Sequence, residues 1–135
     1  MIILKTAAEI EQMRKAGALV RQVLERLGRY VAPGVRTAEL DAIAEEMILA
    51  AGGTPSFKGY CGYPASICVS VNDEIIHGIP GKRVLVEGDI VSIDCGAILD
   101  GYQGDAAMTF PVGDVSVEAE KLMRVTREAL EAGIE

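Results

Sequence analysis

Apolar residues recur at three- and four-residue steps early in the chain, at Ile10, Met13, Gly17, Val20, Leu24 and Leu27. That spacing places side chains on one face of a helix. Thr6-Ala7-Ala8-Glu9, just before the run, reads as a capping box in which hydroxyl and carboxylate each take up a free backbone amide. Glu11, Arg14, Lys15, Arg21 and Arg26 fall largely on other faces, so the helix lies against something larger. Pro33-Gly34 breaks the pattern. Thr37 can then cap a second helix carrying Leu40, Ile43, Ala44, Met47 and Ile48, which Gly52-Gly53 ends.

The period changes after that point. Thr54 to Gly62, rich in Gly, Pro and aromatic residues, has neither period and reads as an ordered loop. Ser66 to Val71 is β-branched and apolar enough for a strand, Asn72-Asp73 is a turn signal, and Glu74 to Ile79 is expected to return as a second strand. Asp89 to Leu99 and Tyr102 to Val112 form the clearest hairpin, joined by Asp100-Gly101, a favoured two-residue type I′ connection. Ser116 can cap a third helix with Val117, Leu122, Val125 and Leu130 as its buried stripe. The fold class is α/β, of the α+β kind: two N-terminal helices, antiparallel hairpins and a C-terminal helix. No repeat or linker divides residues 1–135, which read as a single domain.

The hairpin turn fixes a register. Gly96 then faces Asp105 and Asp94 faces Ala107, so Asp94 and Asp105 share a sheet face as diagonal neighbours, with Cα atoms ~7 to 8 Å apart. Carboxylates reaching inward from that distance can flank metal ions ~3.5 to 4 Å apart, and Gly96 leaves the position between them without a side chain. The alternative is a pair of ordinary polar residues at the solvent face of a hairpin. Ile90-Val91-Ser92-Ile93 before Asp94 is a buried-looking strand, in which a carboxylate without an ion or donor is costly.

Other candidates are less defined by spacing. The single histidine, His77, in His-Gly-Ile-Pro, is either a general acid, base, ligand or carbonyl donor, or a satisfied turn residue. Phe57, Tyr60 and Tyr63 either line an apolar pocket or staple their own loop to the domain. Cys68 and Cys95 sit in apolar strands as small core residues, and Cys61 is the most exposed thiol. Three cysteines without a Cys-x-x-Cys pair indicate neither a disulfide framework nor a zinc knuckle and fit a reducing cytoplasm.

Charge and composition narrow the class. With 13 Lys and Arg against 20 Asp and Glu, the net charge is −7 over 135 residues without a basic block, which argues against nucleic-acid binding. Half the residues are apolar, as in globular chains. No stretch reaches the ~18 to 20 apolar residues of a membrane span, and Lys5, Glu9 and Glu11 interrupt the apolar start, so neither signal peptide nor anchor is expected.

Five segments together carry a resemblance: Gly59-Tyr-Cys-Gly-Tyr-Pro, Ser70-Val-Asn-Asp-Glu, His77-Gly-Ile-Pro, Gly88-Asp-Ile-Val-Ser-Ile-Asp-Cys-Gly and Asp100-Gly-Tyr-Gln-Gly-Asp. In this order they resemble the amino-terminal half of type I methionine aminopeptidase. The resemblance implies half of a pita-bread fold and a site for two divalent metal ions (cobalt, manganese, iron or zinc) that removes the initiator methionine from nascent proteins. By position Asp94 resembles the ligand of one metal, Asp105 the carboxylate bridging both, and His77 the histidine contacting the scissile peptide. Phe57, Tyr60, Tyr63 and Cys68 match positions lining the methionine pocket, whereas Cys61 and Gln103 replace histidines of many members. The family's remaining ligands, one histidine and two glutamates, lie in the second half of a longer chain. What the resemblance implies for this chain is therefore half a catalytic site, acting with a missing C-terminal half. The alternative is a truncated half-domain that self-associates into a homodimer with little or no peptidase activity.

Overall fold

The computed structural model describes residues 4–135. Helix α1 (Ala7–Gly28) begins at the expected capping box: the Thr6 amide donates to the Glu9 carboxylate at 2.7 Å and the Glu9 amide to the Thr6 hydroxyl at 3.3 Å. Its buried stripe is Ala16, Leu19, Val20, Val23, Leu24 and Leu27. Ile10 and Met13 remain 47% and 40% exposed because the packed part of α1 starts only at Ala16, whose backbone lies against Gly104; Gly17 is exposed too, facing open space beside that contact. Helix α2 (Thr37–Ala50) buries Leu40, Ala44 and Ile48. Its cap is Arg36 and not Thr37: the Arg36 amide donates to Glu39 at 2.8 Å. The Thr37 hydroxyl instead exchanges hydrogen bonds with the Gly81 amide and carbonyl, 2.9 and 3.2 Å.

Four antiparallel strands follow: β1 (Thr54–Pro55), β2 (Ile67–Val71), β3 (Ile90–Leu99) and β4 (Tyr102–Pro111). β1 shows that the loop expected from Thr54 opens with a short strand, paired through Thr54 with Ile98 and Pro55 with Ala97. β3 is central, with β1 and β2 along one side and β4 along the other. The β3–β4 turn has φ of 51° at Asp100 and 82° at Gly101, the positive pair a type I′ connection requires, and the register follows: Gly96 opposes Asp105 and Asp94 opposes Ala107. Alternation sends Val91, Ile93, Cys95 and Ala97 toward the helices, where they form one core with α1, α2, Leu85 and Val112. The other face carries Asp94, Gly96 and Asp105 and is left for chemistry.

Two further expectations fail. Glu74 to Ile79 is no strand. The His77 backbone has φ of 60°, and Gly78 is pressed so closely on Val69 and Ser70 that an added Cβ would overlap their backbone. Its amide donates to the Ser70 hydroxyl at 3.0 Å and its carbonyl accepts from the Val69 amide at 2.9 Å, so β2 is answered there by a loop. Helix α3 (Val117–Ile134) is capped by Ser116 as expected, through the Ala119 amide at 3.2 Å. Its apolar stripe, however, is not buried: Val117, Leu122, Val125 and Leu130 are 45% to 76% exposed. Helical periodicity reports an apolar face, but not that the surface covering it lies within these residues.

Candidate metal centre and substrate pocket

Three separate parts of the chain meet at one cavity of about 600 Å³ on the sheet face away from the helices. The hairpin supplies Asp94 and Asp105, the loop after β2 supplies His77 and Ile79, and the segment before β2 supplies Phe57, Tyr60, Cys61, Tyr63 and Pro64, with Cys68 from β2 itself. Every candidate named from sequence (Phe57, Tyr60, Tyr63, Cys68, His77, Asp94 and Asp105) therefore lines the same space. Cys61, singled out in the sequence only as an exposed thiol and a replaced histidine, and Ile79, from the His-Gly-Ile-Pro segment, also line it.

The floor is electrostatically unsatisfied. Asp94 is half-buried beside Cys68, its partner on β2, while Asp105 is exposed on β4. Burial, followed by the Asp105 carboxylate close enough to share a hydrogen bond, raises the Asp94 carboxyl above its ordinary value. Two carboxylates with no cation between them repel, and a divalent ion would reverse that cost, so the pair fits a hard metal. It supplies only part of a coordination shell. Among the described residues no group of three or more His, Cys, Asp or Glu side chains gathers where it could hold a metal ion.

The walls are aromatic and held in place. The Tyr63 hydroxyl lies 3.1 Å from the Ile67 carbonyl and 3.0 Å from the Gly78 carbonyl, so it braces the loop next to His77. Burial and the neighbouring Cys68 push its phenol well above the usual range, leaving it a neutral donor. Cys68 is likewise raised, mainly by burial, and Cys95 is pushed up to about 12. Neither is an activated thiolate. Phe57 stacks over Gly96, where an added Cβ would come within 2.7 Å of its ring, so the bare position between the aspartates also seats a pocket wall.

Residues 11–135 match metallopeptidase family M24. The chain belongs to that family. A methionine aminopeptidase of Clostridium acetobutylicum is 58% identical over 136 residues, covering all of this chain and 54% of that protein. One from Bacillus subtilis is 54% identical over 135 residues, with the same coverage. The crystal structure of methionine aminopeptidase from Rickettsia prowazekii superposes with a TM-score of 0.97 at 38% identity, again over all of this chain and 54% of the other. The chain thus spans about half the length of these relatives and corresponds to part of a pita-bread fold. Membership in a metallopeptidase family agrees with divalent-metal use, which the facing carboxylates suggest independently. No helix among the described residues is long and apolar enough to cross a membrane.

Proposed function

We propose that this chain contributes half of the active site of a methionine aminopeptidase, which removes the initiator methionine from nascent proteins by metal-assisted hydrolysis. The observation that carries the reading is the pair Asp94 and Asp105, converging at an aromatic-walled cavity that also holds His77. Asp94 would ligate one divalent ion and Asp105 bridge two, with cobalt, manganese, iron or zinc as candidates. Bound there, such ions lower the pKa of a water and polarise a carbonyl. His77, which lines the same cavity, would donate from its imidazole to the scissile peptide, and Phe57, Tyr60, Tyr63 and Cys68 would surround the methionine side chain, an unbranched thioether suited to an irregular apolar pocket. Two carboxylates hold such ions weakly, so the remaining ligands and the general base come from a C-terminal half. Three free thiols suit a reducing compartment, and we place the reaction in the cytoplasm.

The test is methionine release from a Met-Ala peptide in the presence of manganese or cobalt. The 135-residue chain should give little turnover by itself. What turnover it gives should vanish in Asp105→Ala; activity surviving that substitution would refute the metal role.

A second reading rests on a different observation: α3 exposes its apolar stripe, and β4 has no neighbouring strand on its outer side among the described residues. A second copy of the chain, related by a two-fold axis, can cover both in an isologous homodimer. Multi-angle light scattering showing a stable monomer at micromolar concentration rejects it.

A further inference from the structure

The cavity wall from Phe57 to Pro64 is a strap that buries little of itself. Lys58, Gly59, Tyr60, Cys61 and Gly62 are all exposed, and Tyr60 reaches 74%. Local hydrogen bonds give the strap its shape: the Gly59 amide donates to the Tyr63 carbonyl at 2.8 Å and the Tyr63 amide to the Tyr60 carbonyl at 2.9 Å. Those bonds are internal, so they cannot fix where the strap sits against the body of the domain.

Phe57 over Gly96 and the Tyr63 hydroxyl on the Ile67 and Gly78 carbonyls tie the strap to the sheet side, and a further connection to the body runs through α2. At the strap's entry the Lys58 ammonium donates to both oxygens of Glu45, at 2.6 and 2.8 Å. Just past its exit the Ser66 hydroxyl lies 3.2 Å from the same carboxylate. One helical turn earlier, Asp41 accepts the Ser66 and Ile67 amides at 2.8 and 3.0 Å, anchoring the start of β2. An isolated surface ion pair contributes little. Here the Glu45 side chain is only 29% exposed and receives donors from both ends of the segment.

We propose that Glu45 is a positioning residue whose carboxylate, bridging Lys58 and Ser66, clamps the strap to α2 and so sets the opening of the cavity. That the cavity accepts methionine rests on the function proposed for the chain. The clamp does not, and its test uses no substrate.

Cys61 offers a reporter. It is exposed, whereas Cys68 and Cys95 are buried with raised thiol pKa values, so a trifluoromethyl thiol reagent labels position 61 selectively. Fluorine NMR of the labelled protein is compared for wild type, Glu45→Gln, Lys58→Met and the charge swap Glu45→Lys with Lys58→Glu, alongside hydrogen exchange and urea midpoints. The clamp predicts one narrow line in wild type that shifts or broadens in both single variants. Exchange in residues 57–64 should be about fivefold faster there, with β3 and β4 unchanged, and the swap should restore line and exchange. Three results overturn it: an unchanged line in Glu45→Gln, a changed line that the swap leaves unrestored, or equal acceleration throughout the sheet, which marks general destabilisation. Turnover that survives Asp105→Ala, with the clamp result intact, would count against the proposed function alone.

Discussion

Substituting alanine at two glycines that meet across the α1–β4 contact should have opposite effects. Gly104 opposes Ala97 on the core face of the hairpin, and α1 lies directly on it. A Cβ at position 104 would stand 2.5 Å from the Ala16 carbonyl carbon and 2.6 Å from both the Ala16 oxygen and the Gly17 nitrogen. These are backbone atoms of a helix, so no side-chain rotation relieves them. The whole of α1 must lift, loosening Leu19, Val20 and Val23 from the sheet. Overpacking costs about 1 to 3 kcal/mol, and a clash with rigid backbone belongs at the upper end. With a urea m-value of about 2 kcal/mol/M, Gly104→Ala should lower the midpoint by about 1.5 M. At Gly17 an added Cβ meets nothing within 4 Å, and the residue is exposed in a helix interior. Alanine is favoured over glycine there by about 1 kcal/mol, raising the midpoint by about 0.5 M. Urea unfolding followed by circular dichroism measures both. A Gly104→Ala midpoint equal to wild type, or a Gly17→Ala as damaging as Gly104→Ala, would show that α1 does not sit on β4 in this way.

Tyr63→Phe removes the hydroxyl shared by the Ile67 and Gly78 carbonyls and should cost about 1 kcal/mol, with faster hydrogen exchange around residues 77–79; unchanged exchange there would refute the brace. Asp105→Asn should weaken manganese binding, followed by electron paramagnetic resonance, by roughly tenfold or more, since one of two converging carboxylates loses its charge. Equal affinity would mean that the two aspartates do not bind one site. Hydrogen bonding to Lys58 holds the Glu45 carboxyl below its ordinary 4.5. Its contribution is therefore complete above pH 4.5 and is lost as pH falls through the lowered folded value, because protonation then favours the state with the higher pKa. Exchange in residues 57–64 should accelerate over that acidic interval in wild type and not in Glu45→Gln.

Local chemistry makes parts of the fold legible in the sequence. The Thr6–Glu9 box starts α1 because both partners lie within one turn, and Asp100-Gly101 sets the hairpin register because two residues with positive φ leave little alternative. That register alone brings Asp94 and Asp105 together on one face. The misreadings concern features that depend on distant partners. Thr37 has a capping residue's chemistry, but its hydroxyl is taken by Gly81, and Glu39, three residues after Arg36, accepts the Arg36 amide instead. Glu74 to Ile79 has the composition of a strand, and the close approach of Gly78 to β2 bends it into a loop that presents His77. The Glu45–Lys58–Ser66 cluster joins a helix to a loop across 13 and 21 positions, and no periodicity announces such a contact.

Two unsatisfied features of the molecule lie on one strand, and geometry links them. Asp105 sits on β4, whose outer edge lacks a strand among the described residues and whose opposite side is the only one paired. A strand added along that edge would lie about 4.8 Å away and place alternate side chains on the face that carries Asp94 and Asp105. Whatever completes the sheet is thereby positioned to add groups beside Asp94 and Asp105. Under the proposed function, the open edge and the incomplete ligand set thus share one remedy: the same strand pairing that covers the β4 edge can bring further ligands toward the raised Asp94 carboxyl. The cavity walls, braced by Tyr63 and clamped at Glu45, are already formed within this chain.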